Sequence, residues 1–511
     1  MKGRVILVGA GPGAPDLLTL RGARALREAD AVVYDALASR ELLALVPEGA
    51  ELHDVGKRGH EAPTRPQEEI TELLLRLARE GKRVVRLKGG DPYVFGRGGE
   101  EASACVEAGI PLEVVPGVSS IFGALAYAGI PVTDRRHGAS FAVVTGHKDP
   151  SKVTRETRWS ELATAADTLL ILMGMRNLEE IVGRLLEAGR DPSTPAAVVM
   201  EGTLPGQRVV TAPLAQLVEC ARAEGVSSPS VVVVGEVVRL RATLAWFEGQ
   251  PLFGRRVLVT RSIEQAGELA LELLSAGAEP WVVPMIRIAA PASWRGLDAA
   301  LDDLAAYDAV LFTSQNAVDY TVMRARERGV DLGAAGLRSI CVGERSAEAA
   351  LRAGLAVDGV PELRFDAEGV LELLLRGEPV RGRRYLLPRS SLARDALPDG
   401  LRAAGATVDA VTAYENKPAE VDAEALCERL RAGALDALLF TSPSTARRFV
   451  ELLDEGAKHA AASCVVAAIG GVTADALRAL GLPADVVSER PAAAPLVAAL
   501  EQALRERGPH R

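Results

Sequence analysis

The sequence is poor in the residues that build metal and disulfide sites. Among 511 residues there are only five cysteines and six histidines. The cysteines, which are Cys105, Cys220, Cys341, Cys427 and Cys464, lie far apart and form no C-x-x-C pair, and the histidines show no metal-ligand spacing. We therefore expect reduced, mostly buried thiols in a cytoplasmic protein that holds no metal.

Long apolar runs and an excess of positive charge are also absent. The first apolar run, "VILVGA", covers only residues 5–10 and is too short for a signal peptide. No later run approaches the length of a membrane span. The formal net charge is −9, so a general affinity for nucleic acid or anionic membranes is not expected. Any anionic ligand must be bound by local basic groups.

The composition that remains is that of a globular α/β enzyme. Apolar residues make up 48% and charged residues 25% of the chain, whose length suggests three or four domains' worth of core. Residues 1–240 alternate short Val/Leu/Ile runs with helical patterns, which is typical of α/β layers. The runs predict strands at 4–8, 31–34, 84–87, 112–115, 141–145, 169–173, 196–200 and 231–234. Helices are predicted at 17–28, 100–108, 119–128 and 179–188.

Glycines follow closely after many of these strands, at the edge where open α/β sheets bind ligands. They are Gly9, Gly89, Gly117, Gly146, Gly174 and Gly202. The first loop, "GAGPGA" (9–14), fits a loose G-x-G-x-x-G/A dinucleotide pattern. However, Pro12 and Pro15 lie within or beside it, and proline has no N–H to offer a pyrophosphate. A compact folded cofactor fits this loop better, and a nicotinamide-dependent oxidoreductase is kept as a remote alternative.

Residues 255–511 contain an internal duplication. "GRRVLVTRS" (254–262) matches "GRRYLLPRS" (382–390) at an offset of 128, with six of nine positions identical. At the same offset "LFTS" (311–314) meets "LFTS" (439–442). Paired α/β units usually face each other across a cleft, so this half is predicted to be a two-lobed α/β domain. The segment "WFEGQPLFG" (246–254), with its Gly, Pro and aromatics expected to be exposed, is predicted to link the halves.

The first half resembles uroporphyrinogen-III C-methyltransferase over about 240 residues. The resemblance rests on motifs in the family's order: "VGAGPGAPDLLTL", "VVYDALAS" (32–39), "VGKRGHEAPTRPQEEI" (55–70), "VVRLKGGDPYVFGRGGEE" (84–101), "VVPGVSSIFGALAYAGIPVT" (114–133), "VVTGH" (143–147), "LMGM" (172–175) and "VVMEGTLPGQRVV" (198–210). It implies a tetrapyrrole-methylase fold of two α/β subdomains, at about 1–133 and 134–245, with S-adenosylmethionine in the cleft. It also implies a homodimer formed through this half.

The same resemblance implies roles for individual residues. Asp35, at the end of a strand, would be the catalytic base and Lys57 the acid. S-adenosylmethionine would contact Pro12, Gly89, Gly90, Asp91, Val94, Ser119, Ser120, Met173 and Gly202. Since the substrate carries eight carboxylates, cationic donors are needed, and Arg58, His60 and Arg97 are the substrate-binding candidates. Arg86, Lys88, Arg135 and Arg136 belong to the same basic group.

The second half resembles uroporphyrinogen-III synthase over its full length. The motifs are "VLVTR" (257–261), "FTSQNAV" (312–318), "VGERSAEAAL" (342–351), "VTAYEN" (411–416), "FTSPSTA" (440–446) and "IGGVTADAL" (469–477). In the repeat, Tyr414 aligns with Ile286. The resemblance implies that Tyr414 assists the loss of hydroxide from hydroxymethylbilane, and that Ser346, Ser442 and Thr473 bind carboxylates. The family often has Thr at position 346 and a Thr pair at 472–473, where this chain has Ser and Val-Thr.

The sequence therefore predicts a bifunctional tetrapyrrole enzyme. A synthase at residues 255–511 would cyclise hydroxymethylbilane to uroporphyrinogen III, and a methyltransferase at residues 1–245 would methylate it twice to give precorrin-2, on the sirohaem or cobalamin branch. The main alternative is a methyltransferase fused to an inactive synthase-like half that only docks or regulates.

Overall fold

The fold is described by a computed structural model covering residues 3–47, 49–56, 66–146, 157–261, 263–333, 336–362, 364–377, 379–393 and 395–508. The chain divides into two compact units. One combines Met1–Val283 with Asp422–Arg511, and the other is Pro284–Val421. Each unit is described by itself.

The first sheet of the larger unit is entirely parallel. Its strands are β1 (Arg4–Gly9), β2 (Ala31–Tyr34), β3 (Glu51–Asp54), β4 (Arg83–Lys88) and β5 (Leu112–Val115), in the order β3-β2-β4-β1-β5. The helices are α1 (Leu20–Arg27), α2 (Gln67–Arg79), α3 (Gly98–Glu107) and α4 (Ser120–Tyr127). Val5 and Leu7 pack in one buried cluster and Ile6 and Val8 in another. Both faces of β1 are therefore covered, as its continuous apolar run requires.

The second sheet is mixed. Its strands are β6 (Phe141–Thr145), β7 (Thr168–Leu172), β8 (Pro195–Met200), β9 (Arg208–Pro213) and β10 (Ser230–Val234), in the order β6-β7-β10-β8-β9. The β6–β7 pair is parallel and the other pairs are antiparallel. The helices are α5 (Trp159–Ala165), α6 (Leu178–Glu187), α7 (Leu217–Ala223) and α8 (Arg241–Leu244). All eight strands predicted for residues 1–240 are confirmed within one or two residues, whereas β3 and β9 were not predicted.

The duplicated half supplies the remaining elements. Its strands are β11 (Arg256–Val259), β12 (Glu279–Val282), β13 (Ile286–Ala289), β14 (Ala309–Phe312), β15 (Arg338–Cys341), β16 (Val357–Gly359), β17 (Arg384–Ser390), β18 (Thr407–Pro418), β19 (Ala437–Phe440), β20 (Val465–Ala468) and β21 (Val486–Val487). Its helices are α9 (Ile263–Ser275), α10 (Arg295–Asp302), α11 (Gln315–Glu327), α12 (Glu344–Arg352), α13 (Ala367–Arg376), α14 (Ala396–Ala403), α15 (Ala423–Arg431), α16 (Pro443–Leu452), α17 (Glu455–Ala461), α18 (Gly471–Ala479) and α19 (Ala493–Arg507).

Each of the two sheets in this half contains strands from both copies of the repeat. The sheet in the larger unit has the order β12-β11-β19-β20-β21, so it joins two strands of the first copy to three of the second. The sheet in the smaller unit has the order β13-β18-β17-β14-β15-β16, with four strands from the first copy and two from the second. The chain leaves the larger unit after Val283 and returns at Asp422. A lobe is therefore not one copy of the repeat.

Candidate active sites

Three glycine loops meet at the carboxyl ends of β1, β4 and β5. A Cβ atom on Gly9 would lie 2.5 Å from the Gly117 Cα and 2.6 Å from the Gly90 carbonyl oxygen. Gly11 and Gly90 are joined by two backbone hydrogen bonds, of 3.2 and 2.7 Å. Gly90 has φ +66°, and a Cβ there would meet no close neighbour, because the nearest atoms, of Ser119 and Ser120, lie at a van der Waals distance of 3.9 Å. Backbone crowding and an open side thus form a cradle that a ligand can approach closely.

The other predicted cofactor residues surround this cradle. The Asp91 carboxylate accepts hydrogen bonds from the Gly117 N–H (3.0 Å) and the Tyr93 N–H (2.8 Å), so it ties two of the loops together. The Pro12 ring lies against Gly123 of α4, and Gly202 lies against Ala124 of the same helix. Ser119 and Ser120 stand at the start of α4. Helix α4 therefore connects the proline loop, the serines and Gly202.

Val94 and Met173 lie toward the second sheet. Val94 packs on a buried cluster that includes Ala124, and Leu172 packs on the same cluster. Met173 directly follows β7 with φ +56° and is 48% exposed. It is therefore not core filler, and such a backbone conformation is typical of functional positions.

Asp35 lies at the same sheet edge, immediately after β2. Its Oδ1 accepts a hydrogen bond from the Leu37 N–H at 3.1 Å. Its Oδ2 lies 3.5 Å from the Arg86 guanidinium, and the side chain is one-quarter exposed. An oriented and accessible carboxylate at a ligand edge is a suitable proton acceptor.

A buried charge cluster lies behind Asp35. Glu101 is fully buried, and its Oε1 accepts hydrogen bonds from Arg86 (3.2 Å), Lys88 (3.1 Å) and Gln67 (2.9 Å). Its Oε2 has no partner within the described part of the chain. Burial, and then the charge of Arg86, lower the pKa of Lys88. Arg86 and Lys88 were expected among the groups that face the substrate carboxylates, and this expectation is wrong because Glu101 already pairs with both.

The basic candidates of the GKR segment lie outside the described residues. Lys57, Arg58 and His60 fall between the described ranges 49–56 and 66–146. Arg97, the remaining substrate-binding candidate, precedes α3 with φ +58° and forms a two-bond ion pair with Glu100, at 3.0 and 2.6 Å. Its guanidinium is about half exposed.

Tyr414 lies in β18 of the smaller unit, and its ring is 7% exposed. The phenol Oη is 3.0 Å from the hydroxyl of Ser314, which also caps α11 by accepting a hydrogen bond from the Ala317 N–H. Burial raises the pKa of Tyr414, so the group stays a protonated donor over the physiological range. Ser314 was not singled out from the sequence, although it occupies the position in the first "LFTS" that Ser442 occupies in the second.

Two of the three predicted carboxylate-binding hydroxyls, those of Ser346 and Ser442, form hydrogen bonds at the start of their own helices. Ser346 is 2% exposed and exchanges hydrogen bonds with Gly343 at the start of α12. In the larger unit, Ser442 caps α16 by accepting from the Thr445 N–H. Thr473 is 4% exposed, whereas its neighbour Val472 is 57% exposed. At the start of α18 the exposed side chain is therefore that of Val472, which is apolar and cannot form a hydrogen bond.

Two family models match the chain, one in each half. The model described as Tetrapyrrole (Corrin/Porphyrin) Methylases matches residues 4–218, and the model described as Uroporphyrinogen-III synthase HemD matches residues 267–498. The class of protein is thus a tetrapyrrole methylase joined to a uroporphyrinogen-III synthase.

Individual relatives agree with both halves. The porphyrin biosynthesis protein HemD of Ruminiclostridium josui is 36% identical over 486 residues, which cover 94% of this chain and 94% of the relative. The uroporphyrinogen-III C-methyltransferase of Bacillus subtilis is 47% identical over 248 residues, or 48% of this chain and 96% of the relative. A solved structure of uroporphyrin-III C-methyltransferase from Thermus thermophilus, complexed with S-adenosylhomocysteine, is 44% identical, with a TM-score of 0.40. It covers 47% of this chain and 100% of its own.

This chain belongs to the family of fused uroporphyrinogen-III C-methyltransferase and uroporphyrinogen-III synthase proteins of porphyrin biosynthesis. The predicted pair of activities, an S-adenosylmethionine-dependent methyltransferase and a synthase, is confirmed at the level of the family. The nicotinamide alternative is wrong. In the described parts of the chain, no helix is both long and apolar enough to cross a bilayer.

Proposed function

We propose that this chain makes uroporphyrinogen III from hydroxymethylbilane and then methylates it twice to precorrin-2, on the route to sirohaem or cobalamin. The observation that carries the proposal is that one chain contains both a glycine cradle beside an accessible aspartate and a buried tyrosine donor in a duplicated α/β half. The product of the second site is the substrate of the first.

In the methyltransferase half, the proposed division of roles follows the contacts. S-adenosylmethionine would supply the methyl group. The loops carrying Pro12, Gly89, Gly90 and Gly202, with Asp91, Val94, Ser119, Ser120 and Met173, would hold it. Gly90 supports this assignment because its free side has room for a ligand. Positioning is the main contribution such a site can make to methyl transfer.

Asp35 would accept the proton that the methylated pyrrole ring loses, and Arg86, 3.5 Å away, would orient the carboxylate. Lys57 would be the acid, and Arg58, His60 and Arg97 would bind substrate carboxylates. For Arg97 this requires exchanging part of its ion pair with Glu100 for a substrate carboxylate. Such an exchange costs little because exposed ion pairs contribute only about 0–1 kcal/mol.

In the synthase half, Tyr414 would donate a hydrogen bond to the departing hydroxide of hydroxymethylbilane. Its burial supports this role, since the neutral phenol is the form that can donate. Ser346, Ser442 and Thr473 would bind the carboxylates through their hydroxyls and the nearby backbone N–H groups at the helix starts.

We also propose the organisation of the chain. Residues 1–245 would form the methyltransferase, with subdomains at about 1–133 and 134–245. Residues 246–254 would link the halves, and residues 255–511 would form the synthase.

A homodimer through the methyltransferase half is supported by two exposed aromatic rings, Phe122 and Phe141, in edge contact at 6.2 Å. A cytoplasmic location is supported by the five free thiols, and burial raises the pKa of Cys105 to about 11.

Mass analysis of the products tests the proposal. The full chain is incubated with hydroxymethylbilane and S-adenosylmethionine, and in parallel with supplied uroporphyrinogen III. We expect a dimethylated product from both. If only supplied uroporphyrinogen III is methylated, and hydroxymethylbilane closes to isomer I, the second half is an inactive docking or regulatory unit. If neither substrate is methylated, the proposed function of the first half is wrong.

A further inference from the structure

The segment that follows α8 is built into the methyltransferase rather than lying free on its surface. The Trp246 indole N–H donates to the Ala126 carbonyl at 3.1 Å, and its ring packs on Tyr127 with 4.9 Å between centroids. Phe247, expected from the sequence to be exposed, is only 3% exposed and contacts both Tyr127 and Phe253.

The same segment is anchored on the synthase side. Leu252 is fully buried in the cluster under the sheet that contains β11 and β19. Its N–H donates to the Ala276 carbonyl at 2.9 Å. The residues between Trp246 and Leu252 are therefore fixed at both ends within the larger unit.

Glu248, between these anchors, starts a chain of hydrogen bonds that leads to the proline loop. Its Oε1 accepts from the Gln207 side-chain amide at 2.8 Å and from Arg241 at 3.1 Å. The Gln207 Oε1 accepts from the Thr203 N–H at 3.0 Å. The Thr203 hydroxyl accepts from the Ala14 N–H at 3.0 Å. Gln207 and Thr203 are 4% and 2% exposed, so water cannot easily replace these bonds.

The chemistry of the groups gives this chain a direction. Glu248 Oε1 and the Tyr127 carbonyl, which lies 3.4 Å from the Gln207 Nε2, are both acceptors, so they favour the orientation of Gln207 in which the NH₂ group faces them. The amide oxygen must then face Thr203. Thr203 has φ +76°, which a β-branched residue adopts only where its surroundings impose it. Its two hydrogen bonds, one through the N–H and one through the hydroxyl, are the restraints that the structure provides.

We propose that Glu248 is a positioning residue of the methyltransferase, although it lies in the segment that joins the two halves. It fixes Gln207, and through Thr203 it fixes both the Pro12–Ala14 loop and Gly202. The proposal rests on the proposed role of Pro12 and Gly202 in holding S-adenosylmethionine. The cofactor site therefore depends on residues beyond the last element of the methylase sheet, and the linking segment has a function besides connection.

The test measures S-adenosylmethionine binding by calorimetry in the full-length protein. Glu248→Gln removes the charged acceptor of the Gln207 amide and leaves only the Tyr127 carbonyl and the Thr203 N–H to orient it, and we expect Kd to rise about fivefold, the equivalent of one hydrogen bond. We expect KM for S-adenosylmethionine to rise in parallel, with kcat and synthase activity within about twofold of wild type. Glu236→Gln, which breaks an exposed ion pair with Arg239 in a nearby turn, is the matched control and should leave Kd unchanged.

A swapped pair separates positioning from a general loss of structure. Gln207→Glu places two carboxylates together and should weaken binding more than Glu248→Gln. Combining both substitutions restores an amide–carboxylate pair and leaves a carboxylate oxygen facing the Thr203 N–H. We expect the double variant to bind more tightly than Gln207→Glu alone. A wild-type Kd in Glu248→Gln, or a swap no better than Gln207→Glu, overturns the inference. Failure of the wild-type protein to bind S-adenosylmethionine overturns the proposed function itself.

Discussion

Replacing Tyr414 by phenylalanine separates the proposed chemistry of the synthase half from its packing. The substitution keeps the ring, which is 7% exposed, and removes only the hydroxyl that lies 3.0 Å from Ser314. Ser314 retains its cap on the Ala317 N–H at 3.1 Å. The hydroxyl also forms a hydrogen bond with the Asn316 side chain, so the expected loss of stability is that of two hydrogen bonds, about 1–2 kcal/mol. Denaturant unfolding measures it.

In Tyr414→Phe the rate of ring closure should also fall, although the protein stays folded. If the phenol donates to the departing oxygen, its removal should slow closure about 10- to 100-fold, which corresponds to about 1.4–2.7 kcal/mol of transition-state stabilisation. Uncatalysed closure gives the symmetric isomer I, so the ratio of isomer I to isomer III should rise. Methylation of supplied uroporphyrinogen III should not change, because that site belongs to the other half.

Tyr307→Phe is the matched control for this variant. Tyr307 is also a buried tyrosine of the smaller unit, 8% exposed, and its hydroxyl donates to Asp409 at 2.8 Å. Because that acceptor is charged, Tyr307→Phe should cost more stability than Tyr414→Phe, about 1.5–3 kcal/mol. Its isomer ratio should be that of the wild type. Equal isomer ratios for wild type and Tyr414→Phe, at matched enzyme and substrate, would refute the assignment of Tyr414.

The pH dependence gives a second signature of Tyr414. Burial raises its pKa above the ordinary value of 10.0. A tyrosine with a raised folded-state pKa contributes stability that is fully present below pH 10 and is lost as the pH rises through the folded pKa. Tyr414→Phe should therefore flatten part of the alkaline loss of stability. An unchanged alkaline profile would mean that the phenol titrates as in the unfolded chain.

Three further substitutions test the methyltransferase half. Asp35→Asn should slow methylation about 10²–10⁴-fold while calorimetry shows an unchanged affinity for S-adenosylmethionine; near-normal turnover would reduce Asp35 to a loop residue. Glu101→Gln should cost about 3–5 kcal/mol in urea unfolding, because Arg86 and Lys88 lose their shared counter-charge. The folded-state pKa of Lys88 lies below 10.5, so the free energy of unfolding should rise as the pH approaches 10.5, and this rise should be steeper in Glu101→Gln than in the wild type. A Glu101→Gln protein as stable as the wild type would refute the charge pairing. Gly90→Val should abolish cofactor binding, whereas Gly109→Val, at a similar φ of +67° in open space, should cost comparable stability and leave binding intact; equal binding by both variants would move the cofactor site elsewhere.

The short apolar runs predicted the strands of the methyltransferase half well, because most of these strands are buried on both faces, although β5 and β6 are only partly buried. The two strands that were missed have a common reason. Strand β3, Glu51–Asp54, reads "ELHD", and β9, Arg208–Pro213, begins with an exposed arginine. Both lie at the edge of a sheet. Edge position alone does not explain the misses, because β5 and β6 are also edge strands and were predicted from their apolar runs. Strands β3 and β9 contain fewer apolar residues, which an edge strand tolerates because it pairs on one side only, so their pattern resembles that of a loop.

The repeat predicted two lobes but could not predict how its copies divide between them. An offset of 128 relates β11, β12 and β14 to β17, β18 and β19. Strand β11 pairs with β12 and β19, and β17 correspondingly pairs with β18 and β14, so in each sheet a strand of one copy meets a strand of the other. Sequence similarity identifies the equivalent strands, but it does not tell whether β11 pairs with β14 of its own copy or with β19 of the other.

The buried charges explain why the basic group was only partly interpretable from the sequence. In "VVRLKGG" the arginine and lysine alternate with apolar residues, as on an exposed strand face. Their partner Glu101 is 15 residues after Arg86 and 13 after Lys88, and nothing in the local pattern connects the three. Once folded, the cluster of Arg86, Lys88, Glu101 and Asp35 sums to zero formal charge. Because the opposite charges are paired, burying Arg86, Lys88 and Glu101 costs less free energy than burying them singly. Asp35 is the member of the cluster that is open to solvent.

Several predicted ligand residues share a further property: their side chains already have partners inside the protein. The Asp91 carboxylate holds two loop N–H groups, and Ser346 satisfies its own helix start. A side chain in this state can still be essential, because it fixes backbone N–H groups that a carboxylate or cofactor then uses. The direct contacts would fall to backbone at positions such as Gly90 and Gly471, where no side chain intervenes. Motif similarity predicts that such residues belong to a site, but it does not distinguish side chains that would hold a ligand from those that hold the loop, whereas the hydrogen bonds do.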